Sequence, residues 1–143
     1  MQKTLDATSV AEHLIHRYFE EVWNQGHLDV LDEIMAPDYQ NHSSSIPDPV
    51  PGPAGLRPIV AAMRQAFPDL HYEIQDLVVT GTKVAVRVHM TGTHLGDFFG
   101  IAPTGQQVRV QQFQIEWIRE GQIVAHWRQT DDLTLMRQLG VIQ

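Results

Sequence analysis

The hydrophobic period of this chain changes once, near residue 70, and that change limits the folds open to it. Before it, apolar residues recur at helical spacing. Val10, Leu14, Tyr18 and Val22 stand four apart, and Ile15, Phe19 and Trp23 widen the stripe, which predicts an amphipathic helix over residues 8–24. Thr8 or Ser9 can cap it, and Asn24-Gln25-Gly26 stops it. A second short helix is expected over residues 28–35, closed by Pro37. An extended DYQNHSS and a proline-rich IPDPVPGP loop follow. Pro53 then opens a third helix, GLRPIVAAMRQAF, with Leu56, Ile59, Val60, Met63 and Phe67 facing one way.

After residue 70 the apolar residues alternate. LHYEIQDLVV, VAVRVHMTGTH, QVRVQQFQIEWI and QIVAHWRQTD are expected to form four strands. Thr80-Gly81-Thr82 and Glu120-Gly121 supply hairpin turns, and LGDFFGIAPTGQ is a long connection between the hairpins. A last helix, 132–139, stops at Gly140. Helices first and an antiparallel sheet afterwards predict a single α+β domain whose sheet wraps around helices.

Hairpin register decides which side chains meet. If Glu120-Gly121 is a plain two-residue turn, Asp131 lies opposite Val110, Gln129 opposite Gln112, and Trp127 opposite Gln114. One face then carries Asp131, Gln129, Trp127, Gln112, Gln114 and Glu116. The other carries Phe113, Ile115, Trp117, His126, Arg128 and Thr130. A bulge at the turn would break this pattern. In the preceding hairpin Asp76 falls opposite Arg87, an expected ion pair, and Ile74 opposite His89. Two arrangements remain open on this pattern. Either the amides and carboxylates are a solvated exterior and the aromatic face is core, or the sheet curls so that they line a cavity.

Composition removes several function classes. A formal charge of −7, with 10 Lys and Arg against 17 Asp and Glu, leaves no basic face for nucleic acid. The absence of cysteine excludes disulfides, thiolate metal sites and a thiol nucleophile. There is no signal-peptide run and no 18-residue apolar stretch, so no membrane partner is expected and the compartment expected is the cytoplasm. Eight histidines form no HxH or HExxH motif, so no metal is expected. No phosphate-binding glycine loop and no G-x-S-x-G occur.

Several motifs together resemble the SnoaL-like polyketide cyclase (ester cyclase) family. They are WNQGHLDVLDEIMAPDY, NHSSSIPDPVPGPAGLRPIVAAMRQAFPDLHYEIQDLV, GTHLGDFFGIAPTGQQVRVQ and HWRQTDDLTLMRQLG, in that order over about residues 10–140. The resemblance implies a cystatin-like α+β fold of the nuclear transport factor two superfamily, a curved sheet and helices enclosing a conical, largely apolar pocket. It implies a homodimer or homotetramer built on the back of the sheet, and a small hydrophobic ligand. It also implies that Asp131, four residues after Trp127, is the general acid/base of a cofactor-free intramolecular aldol condensation. That chemistry needs a carboxylate held close to a carbon acid and donors for the enolate oxygen. Gln112, Gln114 and Gln129 offer amide donors, Trp127 an apolar wall, and Tyr18, Asn41 and His42 further contacts from the helical and loop side. Asp132 is read as a cap or first-turn acid, His94 as a residue that orients the long loop, and His126 as structural or interfacial. A non-catalytic protein binding a hydrophobic ligand, or a hydrolase or hydroxylation partner on the same fold, are the competing readings.

Overall fold

A computed structural model describes residues 6–43 and 47–143. Part of the DYQNHSS and IPDPVPGP stretches, residues 44–46, lies outside the described residues. Helix α1 (Ala7–Arg17) runs without a break into a π-helical segment, Tyr18–Asn24, where a single α-helix was expected. The N-cap is Asp6, two or three residues before the expected Thr8 or Ser9, and its carboxylate accepts the Ser9 backbone N–H at 2.7 Å. The π turn buries Tyr18, Phe19, Val22 and Trp23 together.

Two polar side chains hold that unusual turn in place. The Arg64 guanidinium donates to the Trp23 and Asn24 carbonyls at 2.7 and 2.9 Å, satisfying acceptors that the end of a helix leaves open. Asn24 behaves like one more residue of a neighbouring strand. Its Oδ1 accepts from Tyr72 N at 2.7 Å, and its Nδ2 donates to Tyr72 O at 3.0 Å.

Helix α2 (Val30–Ile34) leads directly into strand β1 (Met35–Asn41), and helix α3 spans Pro53–Ala66. Strands β2 (His71–Thr80), β3 (Lys83–Thr93), β4 (Gln107–Arg119) and β5 (Gln122–Thr130) follow, then helix α4 (Asp132–Leu139). The sheet therefore has five strands rather than four, in the order β1-β5-β4-β3-β2, and β1 runs parallel to β5. Pro37 is compatible with β1 because that strand lies at the sheet edge. The sheet is curved. One side carries Val84, Val86, Val88, Met90, Val108 and Val110 against the helices, which is the core.

The β4–β5 hairpin begins as expected and then slips. Glu120 and Gly121 both have positive φ, 50° and 73°, as a tight hairpin turn requires, and Arg119 pairs with Gln122. Ile118 pairs with Ile123, but Trp117 pairs with Ala125, so Val124 is an extra residue in β5. From there on Glu116 lies opposite His126, Gln114 opposite Arg128, and Gln112 opposite Thr130. One residue of slip exchanges the two faces of β5. His126, Arg128 and Thr130 turn inward, and Trp127 and Gln129 turn outward beside Ile115 and Phe113. A second bulge, at Gln75, pairs Ile74 with Val88 instead of His89, while Asp76 does lie opposite Arg87 and binds its Nε at 2.8 Å.

The long connection is built to lie over the open end of this structure. His94 Nδ1 contacts Thr104 Oγ1 at 2.9 Å, and the His94 backbone pairs with Gln106 and Gly105, so this histidine does organise the loop. Gly96 N donates to Ala66 O, and a Cβ at Gly96 would stand 2.2 Å from the Gln65 carbonyl, a contact only glycine permits. Phe98 and Ile101 close a tight turn through Phe99 and Gly100, whose φ angles are 46° and 89°. No helix among the described residues is long and apolar enough to cross a membrane.

Candidate active site

Between the concave side of the sheet, α3, α4 and the Phe98–Ile101 turn lies a chamber of about 450 Å³. Its wall is mostly apolar: Trp23, Ile59, Met63, Met90, Phe98 and Leu135 all contribute. Polar side chains join them: Tyr72 from β2, Gln112 from β4, Arg128 and Thr130 from β5, and Asp132 from the first turn of α4, with Gln129 at the edge. Asp132 and Phe99 are exposed, which puts them at the rim. Gln112 is buried and donates to Thr130 Oγ1 at 2.8 Å. Its Oε1 accepts from Gln114 Nε2, also at 2.8 Å, so a chain of amides runs along β4 from the chamber inward.

Beyond that chain lies a sealed polar cluster. Glu116 and His126 are both fully buried, with Glu116 Oε2 3.8 Å from His126 Nδ1. That separation suits an ion pair, yet burial dictates otherwise. It pushes the Glu116 carboxyl well above its usual range, only partly opposed by the positive charge of Arg128. Burial, with Arg128 and His42 adding to it, lowers the imidazole of His126 to about 3. Burial opposes charge on both groups, so the surroundings favour a neutral contact over an ion pair. Neither oxygen of Glu116 has a hydrogen-bond partner among the described residues, nor do the Tyr18 hydroxyl and Gln114 Oε1. Tyr39 OH and Ser43 Oγ both approach the His126 ring, Ser43 at 3.2 Å from Nε2. Burial raises the hydroxyls of Tyr18 and Tyr39 above the ordinary tyrosine range.

Measured against the expected site, the structure brings some residues together and disperses others. Gln112 lines the chamber, and Gln114 backs it. Tyr18 is in the sealed cluster behind the wall rather than on it. Asn41 is buried, but its Oδ1 is engaged by the Ser43 N–H at 2.9 Å, an Asx turn at the end of β1. His42 is exposed and stacks on Trp127, with ring centroids 4.5 Å apart and planes at 12°. Both sit on the outer side of the sheet, because the bulge at Val124 turns Trp127 away from the chamber. Gln129 touches the chamber's edge, but its side chain shares the outer face with Phe113.

Asp131 is the largest correction. Its carboxylate is exposed, accepts Thr134 N at 3.2 Å and Thr134 Oγ1 at 2.7 Å, and caps α4. Those bonds, the side-chain one first, hold it below the usual carboxylate range, which makes it a weaker base. The two aspartates have exchanged the places expected of them: Asp131 caps α4, and Asp132 borders the chamber. Asp132 opens α4 just after β5 ends at Thr130, and the slip in β5 sets only the strand residues before it, Arg128 and Thr130, on the inward side. Arg128 and Thr130 were assigned to the wrong face for that reason. Their alternation with Trp127 and Gln129 was visible in the sequence, but the extra residue at Val124 carried no signal of its own.

Comparisons with known proteins bear on this geometry. A family model described as SnoaL-like polyketide cyclase matches residues 13–139. The aklanonic acid methyl ester cyclase DnrD of Streptomyces peucetius is 28% identical over 126 residues, covering 87% of each chain. The nogalonic acid methyl ester cyclase of Streptomyces nogalater is 28% identical over 119 residues, 82% of this chain and 89% of that one. Among solved structures, TsrD from Streptomyces laurentii superposes with a TM-score of 0.87 at 29% identity, covering 97% of this chain and all of the other. IdmH from Streptomyces antibioticus does so with a TM-score of 0.78 at 32% identity, covering 90% and 97%. Fold, motif order and a match across most of its length agree, and the chain belongs to the SnoaL-like polyketide cyclase family.

Proposed function

We propose that this protein closes a ring in a small, largely apolar carbonyl compound by cofactor-free acid/base chemistry, an intramolecular aldol condensation of a polyketide-type ester. The supporting observation is that one carboxylate, Asp132, and one hydrogen-bonded pair, Gln112 and Thr130, meet around a single apolar chamber. Asp132 removes a proton from carbon next to a carbonyl. The resulting enolate carbon attacks a second carbonyl of the same molecule, forming the C–C bond, and the alkoxide takes the proton back from the Asp132 carboxyl. Atoms and charge balance with no other reactant. The enolate oxygen needs donors in a partly dry site. Gln112 donates to Thr130 and its amide also faces the Tyr72 hydroxyl, while the Thr130 hydroxyl accepts the Gln112 bond and keeps its own proton for the oxyanion. The test is conversion of aklanonic acid methyl ester, the compound named for the relatives. Asp132→Asn should lose activity by a factor of roughly 10² or more. Undiminished turnover in that variant would remove Asp132 from the mechanism.

A homodimer belongs to the same proposal. The outer face of the sheet exposes Phe113 (54%), Ile115 and Trp117 beside Trp127, an apolar strip with no covering element among the described residues. A second copy placed sheet to sheet would bury the same strip twice over.

A further inference from the structure

The proposed chemistry leaves one chamber residue unused. Arg128 lines the chamber with its guanidinium 5.9 Å above the ring of Trp23, and among the described residues it makes no hydrogen bond and no ion pair. Arg137 lacks a partner too but is exposed, whereas the other half-buried arginines are engaged: Arg17, Arg57 and Arg87 each bind a carboxylate, and Arg64 binds two carbonyls. Acids are plentiful, 17 in all, yet none pairs with this half-buried cation: Asp132 borders the same chamber but stands exposed at its rim, and Glu116 is sealed behind the amide chain. The free Thr130 hydroxyl lies on the same wall, a second donor that a ligand can reach.

Donors left open in a half-buried site favour a ligand that brings acceptors, and an uncompensated charge favours one that brings a negative charge. A guanidinium presents paired N–H groups that match a carboxylate. A phenol, ionising near pH 10, stays neutral under ordinary conditions. We infer that the ligand of this chamber carries a free carboxylate bound to Arg128, and so is an aromatic or polyketide acid and not only a neutral ester. The inference refines the substrate of the proposed reaction and shares its chamber. With the carboxylate anchored on Arg128, the reacting carbon is left toward the rim, where Asp132 stands.

The test is binding rather than turnover. Affinities of 2-naphthoate and methyl 2-naphthoate are measured at neutral pH by calorimetry, with wild type, Arg128→Gln and Arg128→Lys. Wild type should prefer the acid by roughly ten- to a hundredfold, the range of a charge-assisted pair. Arg128→Gln should lose that preference while holding the ester as wild type does, and Arg128→Lys should retain part of it. Equal or tighter binding of the ester by wild type overturns the inference, as does a preference that survives Arg128→Gln or failure of wild type to bind either probe. If Arg128→Gln does not fold, the wild-type comparison and Arg128→Lys decide alone. Asp132→Asn separates the two claims, because it should abolish turnover and leave the acid preference intact.

Discussion

Replacing Glu116 with glutamine tests the state of the sealed cluster by its pH dependence. A carboxyl whose folded pKa is raised contributes stability that is fully present below its unfolded value and lost as pH rises toward the folded value. For Glu116 the loss starts near its unfolded pKa of 4.5 and proceeds at roughly 1 kcal/mol per pH unit. His126 works with the opposite sign. Its folded pKa, about 3, is below the unfolded 6.5, so its contribution is complete above pH 6.5 and is lost as pH falls toward 3. The two slopes cancel between pH 4.5 and 6.5, and above 6.5 only the Glu116 loss remains. Glu116→Gln removes that loss because the amide does not titrate. Urea unfolding of both proteins at one-unit steps from pH 5 upward measures the difference. Any constant offset from the new amide protons drops out, since the slope is what matters. The variant should gain on wild type by roughly 1 kcal/mol per pH unit, about 3 °C in Tm for a domain of 143 residues. Parallel curves for the two proteins would mean that Glu116 is ionised in the folded state, and the neutral cluster would have to be abandoned.

Two further outcomes follow from the packing. Asn24→Ala removes both bonds that tie the π turn to Tyr72 and leaves strand groups unpaired, so chemical denaturation should show a loss of about 1–3 kcal/mol. Phe113→Glu places a charge in the outer apolar strip, and light scattering should find a dimer for wild type and a monomer for the variant; an unchanged mass would move the interface elsewhere.

Much of this fold can be read from residue spacing. The change of period near residue 70 marks where helices give way to sheet, and the Gly81 and Glu120-Gly121 turns fall where expected. Spacing marks the second half of β1 only as the extended DYQNHSS, and could not show that Met35–Asn41, with Pro37 inside it, pairs in parallel with a strand more than eighty residues away. Nor could it show the π turn, because Tyr18, Phe19, Val22 and Trp23 suit a buried stripe in either helix. The site suffered most from a single residue. Gln112, Gln114 and Glu116 face inward as the cavity arrangement required, since β4 is regular throughout. β5 is not, and the bulge at Val124 moved Arg128 and Thr130 in while moving Trp127 out. A strand's side-chain period is two, so one inserted residue reverses every later assignment. The Asp131–Asp132 pair lies past the strand, where the start of α4 makes one the cap and sets the other beside the chamber.

The claim at the centre of this account is that the carboxylate at position 132, not its neighbour, moves a proton on carbon. It can be measured without ring closure, as uptake of deuterium from D₂O at the carbon between the carbonyls of an aromatic β-keto ester, followed by mass spectrometry. Wild type and Asp131→Asn should exchange at similar rates, since asparagine also caps a helix, and Asp132→Asn should fall to the uncatalysed rate. Exchange that stops in Asp131→Asn and continues in Asp132→Asn would contradict the account.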